Sequence, residues 1–117
     1  MLFRSRVEKE VVIPILAKNL EEKTGYKVLA VWENGFRQIT NNIRPINTPE
    51  DLKGIKLRVP EGKWRVRMFQ AYGANPTPMG FSEVFIALKT GTIDGQENPY
   101  TQITSAKFQE EIGRAHV

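Results

Sequence analysis

The sequence predicts an α/β fold built around a parallel sheet. Three observations carry that expectation. Ile55, Leu57 and Val59 alternate with Lys56 and Arg58 between Gly54 and Pro60, the period-two pattern of a strand with one apolar and one polar face. Stretches of helical spacing follow at about 62–72 and 82–90. Each ends on a glycine, Gly73 and Gly91, so that strand-like and helical segments alternate.

Taken in order, apolar residues at Val7, Val11, Val12, Ile15, Leu16 and Leu20 mark an amphipathic helix, with Pro14 expected to kink it or delay its start. Gly25 is its stop. Tyr26 to Trp32 is rich in β-formers and reads as a strand buried on both faces. Glu33-Asn34-Gly35 is a turn, and Phe36 to Asn42 a short extended segment carrying Arg37. Thr48 and Pro49 cap and open a helical turn whose acids, Glu50 and Asp51, sit at its positive end. After the 55–59 strand, Trp64, Met68, Phe69 and Tyr72 share one helix face, which assigns them to the core, with Lys63, Arg65 and Arg67 on the wet side.

The prolines of Asn75-Pro76-Thr77-Pro78-Met79 confine that segment to a sheet edge or a loop. Ser82 is placed as the cap of the next helix, with Val84, Ala87 and Leu88 inward. Thr92-Ile93-Asp94 reads as a short strand into Gly95, and Asn98-Pro99 as the start of a last helix carrying Tyr100 and Ile103.

The composition is that of a soluble globular protein, with 40% hydrophobic and 26% charged residues in 117. No run of about eighteen apolar residues occurs. The absence of cysteine excludes disulfides, thiolate metal ligands and a cysteine nucleophile, and leaves the redox compartment open. The formal charge of +4 points toward an anionic partner such as nucleic acid. The ends weaken that hint. Met1-Leu2-Phe3-Arg4-Ser5 and Ile112-Gly113-Arg114-Ala115-His116-Val117 read as translations of a sequencing-library adapter, and are set apart from the fold as residues 1–5 and 112–117. Without Arg4 and Arg114 the balance falls to +2, and the single histidine, His116, goes with the second end.

Chemistry for catalysis is sparse. There is no Ser/His/Asp set, no metal-ligand spacing and no phosphate loop, and Glu83, Asp94 and Glu97 are the carboxylates available for acid–base work. Arg58 stands at the carboxyl end of its strand, where open α/β sheets bind ligands; the alternative is an ion-paired or solvated arginine. Asn98 before Pro99 is either an ordinary helix cap or an anion-facing helix start.

The ordered blocks Gly35-Phe36-Arg37-Gln38, Arg44-Pro45-Ile46, Pro49 to Pro60, Gly73 to Met79, Phe81-Ser82-Glu83-Val84, Ala87 to Gly91 and Asp94 to Pro99 resemble one family. They look like the substrate-binding proteins of DctP type that serve tripartite ATP-independent periplasmic (TRAP) transporters. The likeness runs from about Tyr26 to Phe108. It implies a periplasmic-binding-protein-like α/β fold of two domains with a ligand cleft between them, 6–34 belonging to the first domain and 35–111 to the second.

It further implies that Arg58 binds the ligand's carboxylate and that Asn98 assists. Arg37 would supply a second cation, and Phe81 would line the pocket. The implied ligand is an organic acid, and the implied partners are the membrane permease subunits. The location would be periplasmic, with a signal peptide in the full-length protein. No catalytic residue, metal or cofactor, no nucleic acid and no membrane span of its own is expected. The alternatives are a carboxylate-processing enzyme domain and a basic nucleic-acid-binding module. The resemblance leaves open which acid is bound.

Overall fold

The computed structural model describes residues 6–112, which form two units, 6–33 and 34–112. The first unit is helical from Glu8. A π-helical stretch, Glu8–Ala17, runs through Pro14 and passes into helix α1, Lys18–Thr24, which ends at Gly25 with φ of 74°. That left-handed turn favours a residue without a Cβ. Tyr26 to Trp32 is not a strand, which corrects the sequence expectation. Leu29 and Trp32 are 88% and 85% exposed, and no strand among the described residues pairs with this segment. β-forming side chains make a strand only where neighbouring backbone completes the ladder.

The second unit carries a four-stranded sheet in the order β1-β4-β2-β3, with β1 Arg37–Asn41, β2 Lys56–Val59, β3 Asn75–Pro78 and β4 Gly95–Pro99. β2 runs parallel to β3 and β4, as the alternation predicts, whereas β1 is antiparallel to β4. The sheet is therefore mixed. The 3₁₀ turn Pro49–Leu52 sits where the Thr48-Pro49 signal places it. The Asp51 carboxylate accepts the Asn47 and Thr48 N–H groups at 2.9 Å each, bonds that hold it below the usual carboxylate range, with Thr48 the larger cause.

Helix α2, Lys63–Ala71, returns the chain from β2 to β3 and buries Phe69 and part of Val66 against Leu52, Ile55, Leu57, Val59 and Ala74. Only Phe69 of its aromatic stripe is core. Trp64 is 70% exposed, with Met68 and Tyr72 partly so. The correction has a physical cause: the Lys63 ammonium and Arg67 guanidinium lie 5.3 and 5.5 Å from the Trp64 ring centroid, giving the indole a cationic setting at the surface.

β3 is an edge strand, as its prolines predict. Asn75 N–H and Met79 N–H donate to Ile55 and Val59 carbonyls. Alternation therefore turns positions 76 and 78 outward, and there proline leaves no donor for a further strand.

A 3₁₀ turn, Phe81–Glu83, opens helix α3, Val84–Lys89. Its start is held by the Glu83 carboxylate accepting the Gly80 N–H at 3.2 Å, not by Ser82. Val84, Ala87 and Leu88 are inward as expected. They pack with Ile93, with Ile103 of α4 (Tyr100–Ser105), with Phe108 of α5 (Phe108–Glu111) and with Ile112. Ile112, assigned from the sequence to the adapter-like end, is 2% exposed in this cluster. The remaining adapter-like positions, 1–5 and 113–117, lie outside the described residues.

β4 corrects two further expectations. The ladder begins where the short strand was expected to end, with Asp94 N–H donating to the Lys56 carbonyl, and runs on through Gly95–Pro99. Asn98 is thus a strand residue, and α4 begins only after Pro99. Its side chain does not cap a helix, and the helix-dipole argument made for it does not apply. Gln-Glu-Asn contains no aliphatic residue, yet all five residues of β4 are buried.

Candidate functional site

Three facing registers place the polar residues. Thr40 of β1 is opposite Gln96 of β4, Gln96 is opposite Arg58 of β2, and Arg58 is opposite Thr77 of β3. A polar row therefore crosses the whole sheet, on the face opposite Leu57 and Val59. Asn98, two residues beyond Gln96, lies on the same side by alternation and is opposite Gln38.

Arg58 is 2% exposed. Its Nε and Nη2 both donate to the Met79 carbonyl, at 3.0 and 2.7 Å. Its Nη1 is buried and has no hydrogen-bond partner among the described residues. Burial pushes the guanidinium pKa down, the Glu97 carboxylate opposes that, and Arg37 adds to it. A buried unpaired nitrogen on a charged group is expensive to maintain and calls for an anionic partner.

Glu97 is buried and pairs with Arg37, the carboxylate taking both Nε and Nη2 of the guanidinium, the latter at 2.9 Å. Arg37 Nη2 also donates to the Glu97 carbonyl at 2.8 Å and to Asn98 Oδ1 at 3.2 Å. Asn98 Nδ2 donates to Gln96 Oε1 at 2.6 Å, and Gln96 Nε2 to Thr40 Oγ1 at 2.7 Å. These bonds are what allow a strand without aliphatic side chains to be central and buried.

The structure thus joins Arg37 to Asn98 directly, and sets Arg58 beside them through the Gln96 register. Phe81 stands apart from that network. It is half-exposed, and its ring lies 5.4 Å from that of Phe108 at 55°. It follows Met79, whose carbonyl holds Arg58, by two residues. A cavity of about 450 Å³ lies elsewhere, lined by Ile39, Leu52, Met68, Phe69, Arg65 and the Arg37–Glu97 pair among others. It includes neither Arg58 nor Asn98 nor Phe81. Because Glu97 is already bound by Arg37, it is not a free acid or base. Among the described residues no group of three His, Asp or Glu side chains is placed to hold a metal, and no helix is long and apolar enough to cross a membrane.

Sequence reasoning missed Thr40, Gln96 and the Met79 carbonyl. The signal was available: three adjacent amide and acid side chains in one run are affordable in a buried strand only when cross-strand partners satisfy them.

Comparison with known proteins converges. The family model described as bacterial extracellular solute-binding protein, family 7 (DctP), matches residues 3–113. The 2,3-diketo-L-gulonate-binding periplasmic protein YiaO of Escherichia coli is 50% identical over 95 residues, which cover 81% of this chain and 29% of that protein. A TRAP periplasmic solute-binding protein from Roseobacter denitrificans, solved with bound β-D-glucuronate, is 37% identical with a TM-score of 0.91, covering 98% of this chain and 38% of that one. Another, from Sulfurospirillum deleyianum with bound succinate, is 37% identical with a TM-score of 0.85, covering 92% of this chain and 34% of its own. The chain therefore spans about a third of the length of these relatives.

Proposed function

The chain belongs to family 7 of the bacterial extracellular solute-binding proteins, the DctP family, and on that premise we propose that it forms part of a receptor that captures an organic acid for a TRAP-type secondary transporter. The observation that carries the reading is the buried, unpartnered Nη1 of Arg58. Guanidinium is a planar donor matched to a carboxylate, so the ligand group that best completes this site is a carboxylate oxygen. Asn98 supports Arg58 from the neighbouring strand, and Arg37, charge-neutralised by Glu97, shapes the site more than it charges it. Phe81 offers an apolar wall beyond Met79.

The relatives bound to glucuronate and to succinate share the carboxylate and little else, which agrees with a common anchor at Arg58. Periplasmic location, delivery to membrane permease subunits and the absence of turnover are parts of the same proposal. The test is binding and recovery. The full-length protein is titrated calorimetrically with D-glucuronate, D-galacturonate, D-erythronate and succinate, then incubated with any acid it binds. Saturable binding of at least one acid, recovered chemically unchanged, is expected. Conversion of the bound acid would move the protein to the enzyme reading, and no binding of any of the four would contradict the proposal.

A further inference from the structure

We infer that Thr40 and Gln96 are positioning residues that hold the Asn98 carboxamide in the orientation Arg37 selects, with its nitrogen available to the ligand; this rests on the reading of the site as a carboxylate receptor and deepens it. The direction of the buried chain of hydrogen bonds is set at its Arg37 end. A guanidinium has donors and no acceptor, so the atom of Asn98 that meets Arg37 Nη2 at 3.2 Å must be the oxygen. Asn98 then offers nitrogen to Gln96 Oε1 at 2.6 Å, which leaves Gln96 nitrogen to donate to Thr40 Oγ1 at 2.7 Å. All three side chains, Thr40, Gln96 and Asn98, are buried, so water does not compete for these bonds.

One hydrogen of Asn98 Nδ2 is engaged by Gln96. The other remains as a donor, on the same sheet face as Arg58. The site therefore presents donors from both residues, and the group it accepts next to Asn98 is an acceptor such as a carboxylate oxygen. With the chain reversed, Asn98 would turn its carbonyl toward the same place and repel that oxygen. Thr40 and Gln96 touch no ligand in this scheme; they act through Asn98.

A double-mutant cycle tests it in the full-length protein, with whichever of D-glucuronate, D-galacturonate, D-erythronate and succinate the unaltered protein binds as the probe. Thr40→Val removes the acceptor that anchors Gln96 and is expected to weaken binding about tenfold, roughly the worth of one hydrogen bond. Thr40→Ser is expected to restore it to within about twofold. In an Asn98→Ala background, Thr40→Val is expected to change affinity by less than about twofold, because the group it acts through is gone. Equal losses in both backgrounds, or no loss in the wild-type background, would overturn the inference.

Should Thr40→Val not fold, the unaltered protein gives an independent readout. One of the two Asn98 side-chain amide protons is expected to shift on adding the probe while the other stays with Gln96, and movement of neither proton overturns the inference. If none of the four acids binds the unaltered protein, the receptor reading fails and takes this inference with it. If a probe binds and Arg58→Ala abolishes it while Thr40→Val does nothing, only the inference fails.

Discussion

Arg37 and Glu97 form a forked ion pair whose acid is buried. Glu97 alone is a plausible general base in the sequence; in the fold its side chain is 4% exposed and held by a forked guanidinium. Breaking a buried pair from one side leaves the other charge uncompensated, which costs more than the pair contributes when intact. Arg37→Ala is therefore expected to lower the unfolding free energy by roughly 3–5 kcal/mol in urea denaturation. A loss below about 1 kcal/mol would place the pair with ordinary surface ion pairs. Arg58 differs because its third nitrogen has nothing to pair with inside the unit. On the proposed receptor reading, that asymmetry makes Arg58 the anchor for a ligand carboxylate and Arg37 the more important of the two for stability.

At the scale of elements, β4 is held in place by its first residue. A Cβ on Gly95 would lie 2.4 Å from the Thr40 carbonyl oxygen and 2.6 Å from Asn41 Cβ, contacts that backbone cannot relieve. Gly95→Ala is expected to cost roughly 1–3 kcal/mol and to weaken amide-exchange protection across Arg37–Asn41. Unchanged protection there would contradict the close approach of the two strands. The strand β2 was legible because its alternation is a hydrophobic signal, and β3 because proline limits where a strand can sit. β4 was not, since Gln96, Glu97 and Asn98 are buried by cross-strand bonds that no periodicity of apolar residues reports. The Trp64 stripe failed for the converse reason: its spacing was helical, but neighbouring cations, and not packing, account for the indole. Of the site, Arg58, Arg37, Asn98 and Phe81 came from an ordered series of motifs. The hydrogen-bond chain behind Asn98 needed the register.

Across the whole molecule, the two units differ in what they bury. The sheet unit has two apolar clusters, whereas residues 6–33 leave Ile13, Ile15, Leu16, Leu20, Leu29 and Trp32 exposed. Exposed apolar side chains in this number favour association. The 117-residue chain on its own is expected to bind a hydrophobic dye and to associate as concentration rises, and a dye-negative monomer at all concentrations would contradict that.

The most direct test of the receptor reading is calorimetric titration of the full-length protein and its Arg58→Ala and Arg58→Lys variants with an acid the unaltered protein binds. A thermal melt without acid, run alongside, separates loss of fold from loss of affinity. Alanine leaves a desolvated carboxylate without its main partner, a loss of roughly 2–5 kcal/mol for comparable buried charge pairs. That corresponds to about thirtyfold to several thousandfold in affinity. Lysine restores the charge without the fork, so partial recovery is expected. Affinity of the folded Arg58→Ala variant within about threefold of the unaltered protein would contradict the assignment of Arg58 as the carboxylate anchor.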